Sequence, residues 1–298
     1  MKKILLICLL ALLTSAISEA QTPVPAPEKE VVVVDLFARS RVVPAPYVEI
    51  LRSYVLNAFV ARGRHRVLEA QSVPELTTRI GGGDIVTPET APAEMEAFLA
   101  GRAPAAAAAG ARYLVSGTIT DYKFGHVDLP AADSKKPPRP GFRASFRIVL
   151  SAVDLKLGVR LPDEPYELSA TAPIAEDADR AALKRIVGQL EYYIDRNFKF
   201  ETRILELCAP DKKNRFRELY IHSGTQMGVK TGDLFMVYEE MPVGDALIRQ
   251  KIGRLRVTDV SNPGVALCKV AKGDAQIADA FLGNRTLICV SDGKAFGF

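Results

Sequence analysis

The stretch at residues 111–122, Ala-Arg-Tyr-Leu-Val-Ser-Gly-Thr-Ile-Thr-Asp-Tyr, constrains the fold more than any other. Its β-branched and aromatic residues favour an extended chain. Tyr113, Val115, Gly117 and Ile119 fall on one face, Leu114, Ser116, Thr118 and Thr120 on the other. An alanine-rich helical segment ending at Gly110 precedes it, and helix, glycine stop and buried strand together predict a central strand of an α/β domain.

The preceding segments fit that reading. Val31-Val32-Val33-Val34 continues into Asp35-Leu36-Phe37, the pattern of a strand covered on both faces. A helix is predicted from Pro46, with Val48, Leu51, Val55 and Phe59 on one stripe and Gly63 as its stop. Residues 66–69 form a short strand. Pro74 opens a further helix that Gly81-Gly82-Gly83 ends, and residues 88–110 carry one or two helices with Met95, Phe98 and Leu99 inward and a break at Pro104. The order β-α-β-α-β implies a parallel core with right-handed crossovers.

Beyond the central strand, residues 124–141 are proline-dense around Lys135-Lys136-Pro137-Pro138-Arg139-Pro140 and predict a surface loop. Phe142, Ala144, Phe146, Ile148, Leu150 and Ala152 alternate as a strand with one buried face. A turn at residues 154–158 and a return strand near residues 166–172 follow. A helix capped near Asp177 then runs to Phe198, with Leu183, Ile186, Val187, Leu190 and Ile194 on its stripe. From about residue 200 the segments shorten and glycine punctuates them. Strands at 203–207, 218–221, 234–238, 251–260, 264–270 and 286–290 predict a small all-β barrel or sandwich.

The start of the chain reads as a secretory leader. Lys2 and Lys3 precede an apolar run from Ile4 to Leu13, too short to span a bilayer, and Ser18-Glu19-Ala20 offers a cleavage site. Cys8 follows Ile7 early in that run, which is not the place of a lipidated cysteine. The expected organisation is a signal peptide at 1–20, a proline-rich tether at 21–30, an α/β domain at 31–200 and a β-domain at 201–298. No later segment is apolar and long enough for a membrane helix, and the expected location is the periplasm, in possible contact with the outer membrane.

The 298 residues are 48% hydrophobic and 25% charged, ordinary for a globular protein. A net charge of +4, spread along the chain, does not form the basic stripe of a nucleic-acid binder. Cys208, Cys268 and Cys289 remain after the leader; either one pair is bridged or all three are small apolar residues in strands. His65, His126 and His222 form no metal-ligand pair, and no serine-hydrolase elbow is present. The glycine-spaced loop at 223–233 lacks both the dinucleotide and the phosphate-loop patterns and reads as tight turns at a barrel corner. Asp121, His126 and Asp128 follow the central strand, where ligands of parallel sheets gather. They read more simply as a solvated rim. No catalytic, cofactor or metal residue is assigned, and no enzyme activity is expected.

Several of these motifs also match in order. Residues 31–37, the helix around 51–59, Arg64-His65-Arg66-Val67-Leu68-Glu69, residues 110–119 and the Asp154-to-Gly158 turn together resemble the curli secretion channel family (CsgG-like domains). That family is similar in layout to the TolB N-terminal domain and to periplasmic activators of penicillin-binding proteins. Residues 219–224, 228–238 and 252–260 resemble the C-terminal domain of flagellar assembly protein T. The resemblance implies an envelope location and protein binding or self-assembly, with a homo-oligomer possible and no small-molecule cofactor. It also brings two departures: no convincing lipidation site, and a proline-rich, charged insertion at 124–141 in place of the family's membrane hairpins.

Overall fold

Four consecutive valines make a strand only where both faces are covered, and β1 (Val31–Val34) is buried at every position. Val32 and Val34 join one apolar cluster, Val31 and Val33 another on the opposite face. In the computed structural model, which describes residues 28–77, 92–130, 137–244 and 246–294, there follow β2 (Ala38–Arg39), α1 (Pro46–Arg62), β3 (Arg66–Glu69), α2 (Pro74–Thr77), α3 (Pro92–Ala108) and β4 (Ala111–Leu129). Then come β5 (Arg139–Asp154), β6 (Val159–Arg160), β7 (Glu164–Ala172), α4 (Ala175–Lys184) and α5 (Val187–Asn197). The sheet order is β3-β1-β4-β5-β6, with β2 on β4 and β7 on β5. β1 pairs in parallel with β3 and β4, and the pairings of β5 are antiparallel. This is a mixed α/β sheet.

Helix α1 has the predicted stripe. Val48, Leu51, Val55 and Phe59 are all fully buried, each contributing roughly 1.5–3 kcal/mol relative to exposure. Gly63 closes the helix in the left-handed conformation at φ 71°, its N–H donating to the Phe59 carbonyl. Helices α1, α4 and α5 pack on the face that carries Tyr113, Phe146, Ile148 and Leu150. On the opposite face, Val73, Leu76 and Ala106 pack on Val31, Val33 and Leu114.

The remainder is a second, all-antiparallel sheet: β8 (Glu201–Thr202), β9 (Ile204–Leu207), β10 (Glu218–Ile221), β11 (Asp233–Val243), β12 (Ala246–Asp259), β13 (Ala266–Lys272) and β14 (Leu287–Lys294), with α6 (Asp274–Leu282) before the last strand. Its order, β8-β14-β11-β12-β13-β10-β9, begins and ends on strands separated only by Arg203. One stretch of chain therefore lies at both margins, and the sheet curls into a nearly closed barrel. Ile277 and Ala280 of α6 join its core beside Phe235, Val237, Leu255 and Cys268.

The structure corrects several local expectations. Half of the predicted loop at 124–141 is strand: β4 runs on to Leu129 and β5 starts at Arg139, in register from Tyr122↔Phe146 to Leu129↔Arg139. Prolines at 137, 138 and 140 mark a loop in the sequence, yet Pro140 itself stands in β5 opposite Asp128. Pro104 lies inside α3 without ending it. The helix expected from Asp177 to Phe198 is two helices broken at Arg185–Ile186, and Asp177 sits in the first turn of α4, not at its cap. α6 falls between the strands expected at 264–270 and 286–290, where the sequence reading has no element. The expected leader, residues 21–27 of the tether, Gly81-Gly82-Gly83, the Lys135-Lys136 segment and residues 295–298 lie outside the described residues. So do the side chains of Met95, Phe98 and Leu99.

Gly117 sits in the middle of β4 because Phe37 lies over it. A Cβ there would stand 2.6 Å from Phe37 Cε2 and 3.0 Å from Leu150 Cδ2, and Phe37 is 1% exposed with no room to retreat. Gly117→Ala should cost about 1–3 kcal/mol by overpacking. Urea unfolding measures this; a variant as stable as the parent would show that Phe37 can move aside.

Candidate functional site

Two features of the fold bear on function: the junction that joins the sheets, and the ribbon that leaves the first one. Both are built by short stretches of sequence.

At the junction, Arg62 ends α1 and Arg64 follows its glycine cap. Their guanidinium groups meet Asp195 of α5 and Asp233 at the start of β11. Arg62 donates from Nε to Asp195 Oδ1 at 2.7 Å and from Nη2 to both oxygens of Asp233 at 3.0 Å. Arg64 donates to Asp195 Oδ1 at 2.5 Å and to Asp233 Oδ2 at 3.1 Å. All four residues are buried. Arg62 Nη1 also donates to the Gly228 carbonyl at 2.8 Å, and the Lys230 N–H to Asp233 Oδ2 at 3.1 Å. Burial, then the neighbouring Arg62, drives the Arg64 pKa down, yet a guanidinium stays protonated in any protein setting. The loop at 223–233 is thus more than a barrel corner. Gly228, at φ 65°, lies against the backbone of Arg62, Gly63 and Arg64, where a Cβ would collide with the Arg62 carbonyl. Sequence reasoning saw the glycines of that loop but not its partners, since nothing local marks an arginine as destined for an aspartate 169 or 171 positions away.

The ribbon is the outer part of β4 and β5. β1 and β2 stop alongside Val115 and Ile119. Beyond them, among the described residues, no strand pairs with β4 at 121–129 on the side away from β5. Along one face runs an aromatic row. Tyr122 lies 4.9 Å from Phe146 and 6.4 Å from Phe124 between ring centroids; Phe142 lies 5.5 Å from Phe124 and 4.7 Å from His126. Phe124 is 42% exposed. At its root, Tyr47 and Tyr122 both donate to the Asp179 carboxylate of α4, at 2.5 and 2.9 Å. Burial and then the bond to Asp179 raise the pKa of each hydroxyl. The candidate rim residues Asp121, His126 and Asp128 are strung along this ribbon, cross-strand from Arg147, Phe142 and Pro140. They do not converge on a cleft.

The cysteines are free: Cys268 and Cys289 are fully buried in the barrel core, and burial raises all three thiol pKa values. Cys268 is pushed up to about 12. Among the described residues no His, Cys, Asp and Glu group could hold a metal ion, and no helix is long and apolar enough to cross a membrane. His65 is buried among Phe59, Tyr113 and Phe198. Burial, and then the cations Arg64, Lys29 and Arg62, push its pKa down to about 3.

No protein-family model and no curated protein matches the chain. Among solved structures, a PelC dodecamer variant from Paraburkholderia phytofirmans aligns at 13% identity and TM-score 0.31, over 56% of this chain and 94% of that one. Lipoprotein GNA1162 from Neisseria meningitidis aligns at 14% and 0.35, over 56% and 99%. TolB from Acinetobacter baumannii aligns at 13% and 0.28, over 81% and 58%. These are loose likenesses, and the functional reading rests on the chain's own residues.

Two outcomes follow from this geometry. Asp233→Ala leaves two buried guanidinium groups short of a counter-charge and should cost about 3–5 kcal/mol. Urea unfolding tests this, and a loss under about 1 kcal/mol would mean the cluster is solvated. The second concerns acid. An unfolded histidine titrates near pH 6.5, so below that pH the unfolded chain takes up a proton that folded His65 refuses. The stability tied to His65 is full above about pH 6.5 and falls toward about pH 3. Between pH 7 and pH 5 the parent should lose about 2 kcal/mol more than His65→Phe. Equal losses in parallel denaturation curves would refute it.

Proposed function

We infer that this chain is a non-enzymatic protein of the cell envelope, exported to the periplasm, that works by binding a protein partner or assembling with copies of itself. The finer kinship, a CsgG-like domain followed by one like the C-terminal domain of flagellar assembly protein T, and the division at about residue 200 belong to the same proposal. So does a role in envelope biogenesis or secretion. The observation that carries it is the side of β4 at 121–129 that pairs with no strand among the described residues. A strand edge that long presents backbone donors and acceptors to any extended chain. The half-exposed Phe124 and the ring of His126 beside Phe142 supply side-chain contacts on the same ribbon. Lys123, with a side chain 77% exposed, and Asp121 discourage indiscriminate pairing there.

A pore is a second reading, because the long β4–β5 hairpin now exists. Against it, Ala144 and Phe146 face the helices, not lipid. The uncovered part carries Lys123, His126 and Asp128 on one strand and Arg139 and Arg143 on the other. A lipid-facing strand needs about 9–11 residues with an apolar outer face.

A photo-reactive residue replacing Phe124 should cross-link to a partner or a second copy in intact cells. The same residue replacing Val42, 63% exposed elsewhere on the domain, should not. A chain that is monomeric by light scattering and gives no cross-link from position 124 would sink the proposal, and membrane insertion found on fractionation would favour the pore.

A further inference from the structure

At the amino ends of the parallel strands lies an open cavity of about 860 Å³, lined by the basic side chains Lys29, Arg66, Arg112 and Lys156, by His65, and by the carboxylates Glu28 and Glu30. It is within the size range of small-ligand sites. Arg112 is committed: its Nε and Nη2 donate to Asp154 at 2.9 and 2.8 Å and its Nη1 to Glu30 at 2.9 Å. Lys29, Arg66 and Lys156 are exposed and have no salt bridge among the described residues. His65 is 4% exposed, and neither ring nitrogen has a hydrogen-bond partner among the described residues. Buried polar groups left unpaired are uncommon and costly. Here one borders a cavity with three uncommitted cations.

We propose that this cavity binds a phosphate-type oxyanion, with Lys29, Arg66 and Lys156 as its charged contacts and the neutral His65 ring as a buried hydrogen-bond partner. Lysine and arginine hold phosphate oxygens through charge-assisted hydrogen bonds. A neutral imidazole presents one N–H and one lone pair on diverging sides of its ring, so a monoprotonated phosphate meets one of the two: an oxygen receives the N–H, or the P–OH donates to the lone pair. Helices α1 and α3 end at this margin, and cations there also suit the negative ends of helices. That role accounts for the lysines and arginines, but not for an imidazole with two bare nitrogens. The phosphate can be free or the headgroup of an anionic lipid, since both present the same oxygens.

Titration calorimetry on the full chain with inorganic pyrophosphate, and flotation with phosphatidylglycerol vesicles, distinguish the two sources. Binding in either arm is expected to weaken at least about tenfold in Arg66→Gln/Lys156→Gln, whose exposed side chains can change without unfolding the protein. His65→Phe should also weaken binding about tenfold, while its melting temperature holds or rises because an unpaired polar group has gone. Two results overturn the proposal: no pyrophosphate heat at millimolar concentration together with no flotation, or binding in either arm that is unchanged in the double variant and in His65→Phe.

Discussion

Two arginines and two aspartates, stripped of water and interleaved so that each carboxylate touches both guanidinium groups, fix how the two sheets of this protein sit. A buried ion cluster of this kind is a poor source of stability, because desolvation consumes much of the Coulombic gain. What it supplies is geometry. Asp195 belongs to a helix of the first sheet and Asp233 to the first long strand of the barrel, while both arginines flank one glycine at the end of α1. Rotating the barrel against the α/β unit would strip at least one guanidinium of its partner. Smaller contacts follow the same line: next door the Ser291 N–H donates to the Phe200 carbonyl and the Phe200 N–H to Ser291 Oγ, and Arg64 lies 5.5 Å from the Phe200 ring.

The backbone had to be made to fit that cluster. Gly63 and Gly228 meet where the α1 cap touches the 223–233 loop; both hold a left-handed φ, 71° and 65°, and at Gly228 a Cβ would also collide with the Arg62 carbonyl. The ribbon on the far side is anchored by other means. Two tyrosine hydroxyls converge on Asp179, and an aromatic row carries the packing outward from the core until Phe124 is half in solvent. Rings stacked in sequence stiffen a two-stranded arm that its own backbone bonds would hold only weakly.

Much of this layout could be read from the chain because it is written in local periodicity. Four valines announced β1, the stripe from Val48 to Phe59 announced α1, and the alternation from Phe142 to Ala152 announced the buried face of β5. What could not be read is of two kinds. Where a local signal misleads, it is the prolines: those at 137, 138 and 140 mark a loop over 124–141, yet Leu129 pairs with Arg139 and Asp128 with Pro140 in the ribbon. Where the determinant is long-range, no signal existed. His65 appeared as one histidine without a metal-ligand spacing, and its lack of any hydrogen-bond partner is a property of the folded surroundings. Likewise Arg62, Arg64, Asp195 and Asp233 look like ordinary surface charges until the chain brings them together.

The two ends of the parallel strands are treated oppositely. Ligands of open α/β sheets gather beyond the carboxyl ends, but here that end of β1 is closed. Asp35 is fully buried, accepts from Arg102 Nε at 2.6 Å and from the Leu36 N–H at 2.7 Å, and its own N–H donates to Val115. That ion pair ties α3 onto the sheet in the place where a cleft would otherwise form. At the amino ends the polar groups are instead left open, with an unpaired imidazole behind exposed cations. A fold usually read for chemistry at one end is therefore tied shut there by Asp35 and Arg102, while its other end keeps an open cavity bordered by exposed cations.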